Sequence, residues 1–171
     1  MRRLRSCAVA SNPPADLVLA PLTGKGFPLS AWLVQYQLLL VVLDPFTNES
    51  SWLLPASSRV LECFEQADCR VGFVLAGANA DETREFLGPH AKTILAFPDA
   101  SRSITKAFGL ERVPAIVHVG SDGAVVNSCE DWDPNGWQKV TDELADMMAW
   151  KGPVLPDPRD PGPFLGTPAA G

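Results

Sequence analysis

Between residues 16 and 150 the chain alternates short apolar runs with stretches in which apolar residues recur at helical spacing. Asp16 to Ala20 is a short apolar run closed by Pro21, and Thr23-Gly24-Lys25-Gly26 reads as a turn. Leu29 to Leu33 has room for one helical turn. Leu38 to Leu43 is apolar on both faces, the pattern of a central strand covered by helices on each side. From Pro55 the apolar positions Val60, Leu61 and Phe64 fall at helical spacing, which continues to Ala67. Arg70 to Ala76 predicts a second buried strand. Asp81 to Leu87 predicts a helix whose first acids, Asp81 and Glu82, complement its dipole. Thr93 to Phe97 is a short strand, and Ser101 to Phe108 a short helix that Gly109 stops. Ala115 to Val119 and Ala124 to Asn127 flank the turn Gly120-Ser121-Asp122-Gly123 as an antiparallel hairpin. The last helix, about Asn135 to Trp150, puts Trp137, Val140, Leu144, Met147 and Met148 on one face, opposite Lys139, Asp142, Glu143 and Asp146. Parallel strands joined by helices, then a hairpin and a closing helix, make an α/β sandwich in the order β-α-β-α-β-β-α, with an extra strand and turn in front.

The flanks differ from this body. Residues 1–15 hold Arg2, Arg3 and Arg5 and no acid, and read as a flexible basic arm. Asn12-Pro13-Pro14 cuts off any apolar stretch of ~7–15 residues, so no signal peptide is expected and the expected location is cytoplasmic. In residues 151–171, ten of 21 positions are Pro or Gly, which forbids a helix because proline lacks the amide donor. This tail should run extended over the domain or hang free, with Leu155, Phe164 and Leu165 available to pin it. At 171 residues and 46% hydrophobic, the chain suits one domain, over 16–150, whose core needs neither disulfides nor a metal. The longest apolar run, Leu38 to Leu43, is far short of the ~20 residues that cross a bilayer, so no membrane partner is expected. The body carries 9 basic and 18 acidic residues, which argues against nucleic acid. Nothing in the composition indicates an oligomeric state.

Three motifs carry a resemblance. Leu17-Val18-Leu19-Ala20-Pro21-Leu22-Thr23-Gly24-Lys25 leads into Phe27-Pro28-Leu29-Ser30. Leu38 to Pro55 is a buried strand running into a loop and a helix. Ala107-Phe108-Gly109-Leu110-Glu111-Arg112-Val113-Pro114-Ala115-Ile116-Val117-His118-Val119, followed by Asp122-Gly123, is the most specific. Together, over residues 16–149, they resemble the thioredoxin-like superfamily, in its TlpA-like and AhpC/TSA-like branch. The resemblance implies a thioredoxin-like three-layer α/β sandwich with a central mixed sheet, here with an extra N-terminal strand and a Pro/Gly-rich C-terminal tail. It also implies a cis bond before Pro114, which exposes the backbone of Val113 to an incoming peptide or thiol. X-Pro bonds tolerate this at a cost of only ~0.5–1 kcal/mol.

The active-site position departs from the family. Members place Cys-x-x-Cys or Thr-x-x-Cys where the strand turns into the helix, so that the helix N-terminus lowers a thiol pKa. Counting back from Pro55 puts Thr47-Asn48-Glu49-Ser50 there. Thr47 fits the peroxidase threonine, but Ser50 stands where the sulfur should be, and a hydroxyl does no thiolate exchange. Ser50 would need an adjacent base, and His90 and His118 are remote in sequence. The plain alternative is that Thr47 or Asn48 caps the helix while Glu49 complements its dipole.

Cys63 and Cys69 are the remaining redox candidates. They are free to form a helix-end disulfide, or to serve as a buried and a half-exposed small apolar residue respectively; their spacing is not a metal pattern. Cys129 sits beside Glu130-Asp131-Trp132-Asp133, acidic company that raises a thiol pKa, and Cys7 lies in the arm. Whether the chain is an enzyme stays open. The first expectation is a non-catalytic module that binds a protein or peptide between Val113-Pro114 and a wall made of Phe46, Thr47, Asn48, Glu49 and Ser50. The second is a thiol-dependent oxidoreductase or peroxidase-like antioxidant using Cys63 and Cys69. A third is glutathione binding through Thr47 or Ser50, for which no cationic cluster is evident near the turn. No cofactor and no metal is expected.

Overall fold

The computed structural model describes residues 9 to 171; Arg2, Arg3, Arg5 and Cys7 of the expected arm lie outside the described residues. A small hairpin comes first, β1 (Val18–Leu19) against β2 (Phe27–Pro28), continuing directly into one helical turn, α1 (Leu29–Trp32). The Trp32 indole N–H closes it, lying 3.2 Å from the Leu19 carbonyl and 3.1 Å from that of Phe27.

The central sheet is built on β3 (Gln37–Leu43), whose residues from Leu38 onward are all fully buried. It runs parallel to β4 (Cys69–Ala76), which runs parallel to β5 (Leu95–Asp99). On its other side β3 is antiparallel to β7 (Ala115–Val119), and β7 to β8 (Val125–Glu130), giving the order β5-β4-β3-β7-β8. The helices are α2 (Asn48–Phe64), α3 (Ala80–Leu87), α4 (His90–Thr93), α5 (Ser103–Ala107) and α6 (Pro134–Met147). Alternate side chains of a strand face opposite ways, so β3 feeds two cores. Leu39, Val41 and Leu43 pack with Leu53, Val60 and Phe64 of α2 and with Trp137, Val140 and Leu144 of α6. Leu38, Leu40 and Val42 pack with Leu19, Trp32, Ile104 and Phe108. That is the expected three-layer sandwich around a mixed sheet.

Several boundaries differ from the expectation. Helix α2 begins at Asn48, well before Pro55, which lies inside it. The polar run Thr47 to Ser51 carries no apolar periodicity to mark a helix, and its cap does that work instead. The strand expected from Thr93 starts at Leu95, because Thr93 closes α4. The helix expected from Ser101 starts at Ser103, after Arg102 at φ +60°. Strand β8 runs past Asn127 to Glu130, so Cys129 is inside it and not beyond the hairpin. Met147, expected in the core, is 51% exposed at the end of α6.

The tail lies on the domain. Leu155 is buried and its amide donates to Gln138 Oε1 at 2.6 Å. The Arg59 guanidinium of α2 grips Asp160 with two bonds, 2.9 and 2.7 Å. Phe164 exchanges both backbone hydrogen bonds with Trp132, 3.0 and 3.1 Å, while Leu165 stays exposed and pins nothing. The chain then forms β9 (Thr167–Pro168), antiparallel to β6 (Arg112–Val113). The peptide bonds Val113–Pro114 and Leu155–Pro156 are cis. Among the described residues no helix is long and apolar enough to cross a membrane.

Candidate functional site

Strands β3, β4 and β5 end on the same side, and because β7 runs the other way, its start lies there too, with Ala115 opposite Val42. Everything that follows these strands therefore meets at one end of the sheet. After β3 comes the turn that carries Thr47 to Ser50. Thr47 caps α2: its Oγ1 accepts from the Ser50 amide at 3.3 Å and lies 3.0 Å from both the Asp44 carbonyl and Ser50 Oγ. The Asp44 amide in turn donates to Ser50 Oγ at 3.2 Å. Ser50 is 1% exposed, so both hydroxyls are spent inside the turn. Glu49 stands in the first turn of the helix and Asn48 is exposed. Phe46 is 60% exposed, and so, at 59%, is Trp52, which helical spacing did not single out.

Sequence reasoning missed Asp44 and Arg102. Asp44 is buried; one carboxylate oxygen accepts from the Phe46 amide at 2.9 Å and the other from Arg102 Nη2 at 3.3 Å. Arg102 reaches it because Asp99, the buried last residue of β5, takes the amides of Ile104 and Thr105 and the Thr105 hydroxyl, turning the chain into α5. The guanidinium then lies over Gly77, where a Cβ would come within 2.7 Å of it. Its Nη1 donates to the Ala169 carbonyl at 2.8 Å. The signal for Asp44 was available: an acid directly after a run of buried residues must find a partner.

The Val113 edge is not open. Val113 pairs with Thr167 and Arg112 with Pro168, and the Ala169 amide donates to the Glu111 carbonyl at 2.9 Å. A few residues of this chain's own tail thus lie where the expectation left a free backbone. Asp131 supports them: it receives Arg112 Nε at 2.7 Å, Arg112 Nη2 at 2.9 Å and the Gly166 amide at 2.7 Å. Burial alone would raise the Asp131 pKa, but the Arg112 guanidinium and the Gly166 amide outweigh it and hold the carboxyl below its ordinary value.

No family model and no curated protein sequence matches this chain. Solved structures do. A secreted disulfide oxidoreductase of Mycobacterium tuberculosis homologous to E. coli DsbE aligns with a TM-score of 0.59 at 16% identity, over 77% of this chain and 96% of that one. The peroxidoxin BcpB of the same organism aligns with a TM-score of 0.56 at 17% identity, over 71% and 84%. A hypothetical protein from Sinorhizobium meliloti 1021 aligns with a TM-score of 0.65 at 18% identity, over 96% of each chain. The fold is thioredoxin-like.

In this thioredoxin-like domain the thiols and imidazoles sit away from the turn. Cys69 is in register with Gln37, at the start of β3, and His118 with Leu39. Five residues of strand, roughly 17 Å, separate Leu39 from Asp44. Cys69 is buried and burial pushes its pKa up to about 12; Cys63 is half-buried and burial raises its pKa as well. The expected exposures are therefore reversed, because the start of β4 turns the Cys69 side chain into the core beneath α2. Both thiols are free, so the disulfide allowed between them does not form. Cys129, expected as a thiol among acids, is disulfide-bonded and does not titrate. His118 is fully buried with Nε2 2.6 Å from Gln37 Oε1, and desolvation lowers its pKa against the opposing pull of Glu143. His90 faces Glu62 at 3.8 Å. Neither imidazole serves Ser50 as a base. Among the described residues no group of three His, Cys, Asp or Glu side chains is arranged to hold a metal.

Proposed function

We propose that this chain is a non-catalytic protein- or peptide-binding module built on the thioredoxin-like fold, with a degenerate Thr47-Asn48-Glu49-Ser50 turn. The observation that carries the reading is the hydrogen-bonding of Thr47 and Ser50, whose hydroxyls close the helix cap and leave no nucleophile free at the turn. Two exposed aromatic side chains, Phe46 and Trp52, flank the N-terminal turn of α2, and Val113 lies in a short strand that already pairs with an extended segment, features that suit recognition of an extended peptide. Backbone pairing along an edge supplies affinity without chemistry, and neighbouring pockets supply choice of side chain.

Redox chemistry through Cys63 or Cys69, the activity that the names of two structural neighbours suggest, is the competing reading. What weakens it is the elevated pKa of both thiols, since exchange runs through the thiolate. Glutathione binding is weaker still, because Arg102 near the turn is already engaged by Asp44 and the Ala169 carbonyl.

Turnover of insulin disulfide and of hydrogen peroxide with a dithiol reductant, for the wild type and for Cys63→Ser and Cys69→Ser, separates these readings. Rates at the reductant background for all three chains are expected. Wild-type turnover that vanishes in Cys63→Ser replaces the binding module with an oxidoreductase.

A further inference from the structure

The tail, although rich in proline and glycine, ends in a specific seat. Gly166 lies so close to the Val113 carbonyl that a Cβ there would collide with it, and its amide is bonded to Asp131. Thr167 and Pro168 then run antiparallel to Val113 and Arg112; a proline is tolerated on such an outer strand because one of its sides needs no donor. Ala169 is 3% exposed, packed with the core that includes Leu110 and Val113, and Arg102 holds its carbonyl. Position by position the seat selects glycine, two extended residues, and a small residue whose carbonyl meets a guanidinium.

The seat has one defect. The Thr167 hydroxyl is buried with no hydrogen-bond partner among the described residues. An orphaned polar atom weakens whatever carries it, so this segment fits less well than an apolar isostere would.

We propose that Gly166–Ala169 is a tethered ligand of the Val113 edge, and that Gly-x-x-small, with an apolar β-branched residue preferred after the glycine, is the pattern of extended peptide this edge accepts in trans. The inference rests on the reading of the site as a peptide-binding edge. A tethered segment competes at an effective concentration on the order of millimolar, so an incoming peptide must displace it. The buried hydroxyl keeps that displacement within reach of a better-fitting sequence.

A fluorescein-labelled peptide with the sequence of residues 163–171 is titrated by anisotropy into the full wild-type chain and the full Gly166→Val chain, whose tail cannot seat. Affinity roughly tenfold or more higher for Gly166→Val is expected, with a further gain of about fivefold when the peptide carries valine at its threonine position. A peptide with valine at its glycine position should bind neither chain. In parallel, amide exchange on the wild type alone should find the Ala169 amide protected, and unprotected once saturating valine-for-threonine peptide is added; this arm needs no protein variant. Equal affinity of the two chains, or an Ala169 amide that exchanges freely without peptide, overturns the tethered ligand while leaving the binding edge in place. No binding to either chain, with Ala169 protected throughout, overturns the peptide-binding edge and the proposal with it.

Discussion

The two ends of strand β3 carry opposite kinds of residue. At its start lie Cys69, the nearby Cys63 and the buried His118, side chains with nucleophilic or basic character, held in surroundings that keep them neutral. Past its finish lie Thr47, Ser50, Asp44 and Arg102, groups with little reactivity, tied into a hydrogen-bonded turn that Arg102 links to the Ala169 carbonyl of the tail. Among the described residues, the end of the sheet where strand termini and a helix N-terminus converge has the geometry for chemistry but no free thiol; the other end has thiols but no field to ionise them. Reactivity depends on where a residue stands, and a cysteine removed from a helix N-terminus and buried is a small apolar side chain.

Moving cysteines to the other end gives the sharpest test. Thr47→Cys/Ser50→Cys should raise insulin reduction at least roughly fiftyfold above the wild type, because a helix N-terminus lowers the first thiol's pKa toward neutrality. A double variant that folds but stays at background would show that the turn lacks more than its sulfurs.

Next in size are two core truncations, one per end. Trp132 is fully buried, stacks edge-on against Trp137 at 5.1 Å, and donates its indole N–H to the Pro161 carbonyl at 2.8 Å. Trp132→Ala and, near the thiol end, Phe64→Ala should each cost about 3–5 kcal/mol in urea denaturation. Only the first should also free the Ala169 amide to exchange, since Trp132 is bonded to the tail at Pro161 and Phe164, close to Ala169, while Phe64 meets it only near Gly152 and Leu155.

Asp131→Asn keeps the shape of its side chain but removes the charge that pairs with Arg112, and should cost about 1.5–3 kcal/mol, the range for a charge-assisted bond. The acid responses of the two ends should differ as well. Asp131 has a depressed pKa, so the stability it contributes is complete above the ordinary carboxylate value and is lost as pH falls through its lowered one. His118, buried and neutral, also has a depressed pKa, so its contribution is complete above the ordinary imidazole value and begins to fall below it. Acid titration of the urea midpoint should therefore show an early loss near neutrality that His118→Gln removes, and a late loss in the carboxylate range that Asp131→Asn removes.

The smallest effect is expected from the cap. Thr47→Ala leaves the Ser50 amide without its acceptor and should cost about 1 kcal/mol without altering the tail. A shift of several kcal/mol would mean that the turn supports the Val113 edge more than its local bonds imply.

Much of the sheet was legible because its signals are local. Leu38 to Leu43 and Val71 to Ala76 are free of polar side chains on both faces, and only a doubly covered strand needs that. The start of α2 was less legible, since Thr47 to Ser51 are polar and the helix there rests on a cap and not on an apolar face. The pair Asp44 and Arg102 joins residues 58 apart and follows from no periodicity. The exposures of Cys63 and Cys69 are hidden in the sequence for a similar reason: one strand position decides which face a side chain takes, and the start of β4 is set by its register with β3.

The layered α/β architecture and the hydroxyls in place of thiols at positions 47 and 50 follow from apolar periodicity and residue identity, both written directly in the chain. What covers the Val113 edge is fixed only on folding. Strand pairing is made by backbone groups that every residue carries, so nothing in the letters of Gly166 to Ala169 marks their partner. That partner was settled when folding left the backbone of β6 outside the central sheet, and the tail, held by Arg59 and Trp132 on its way, arrived beside it.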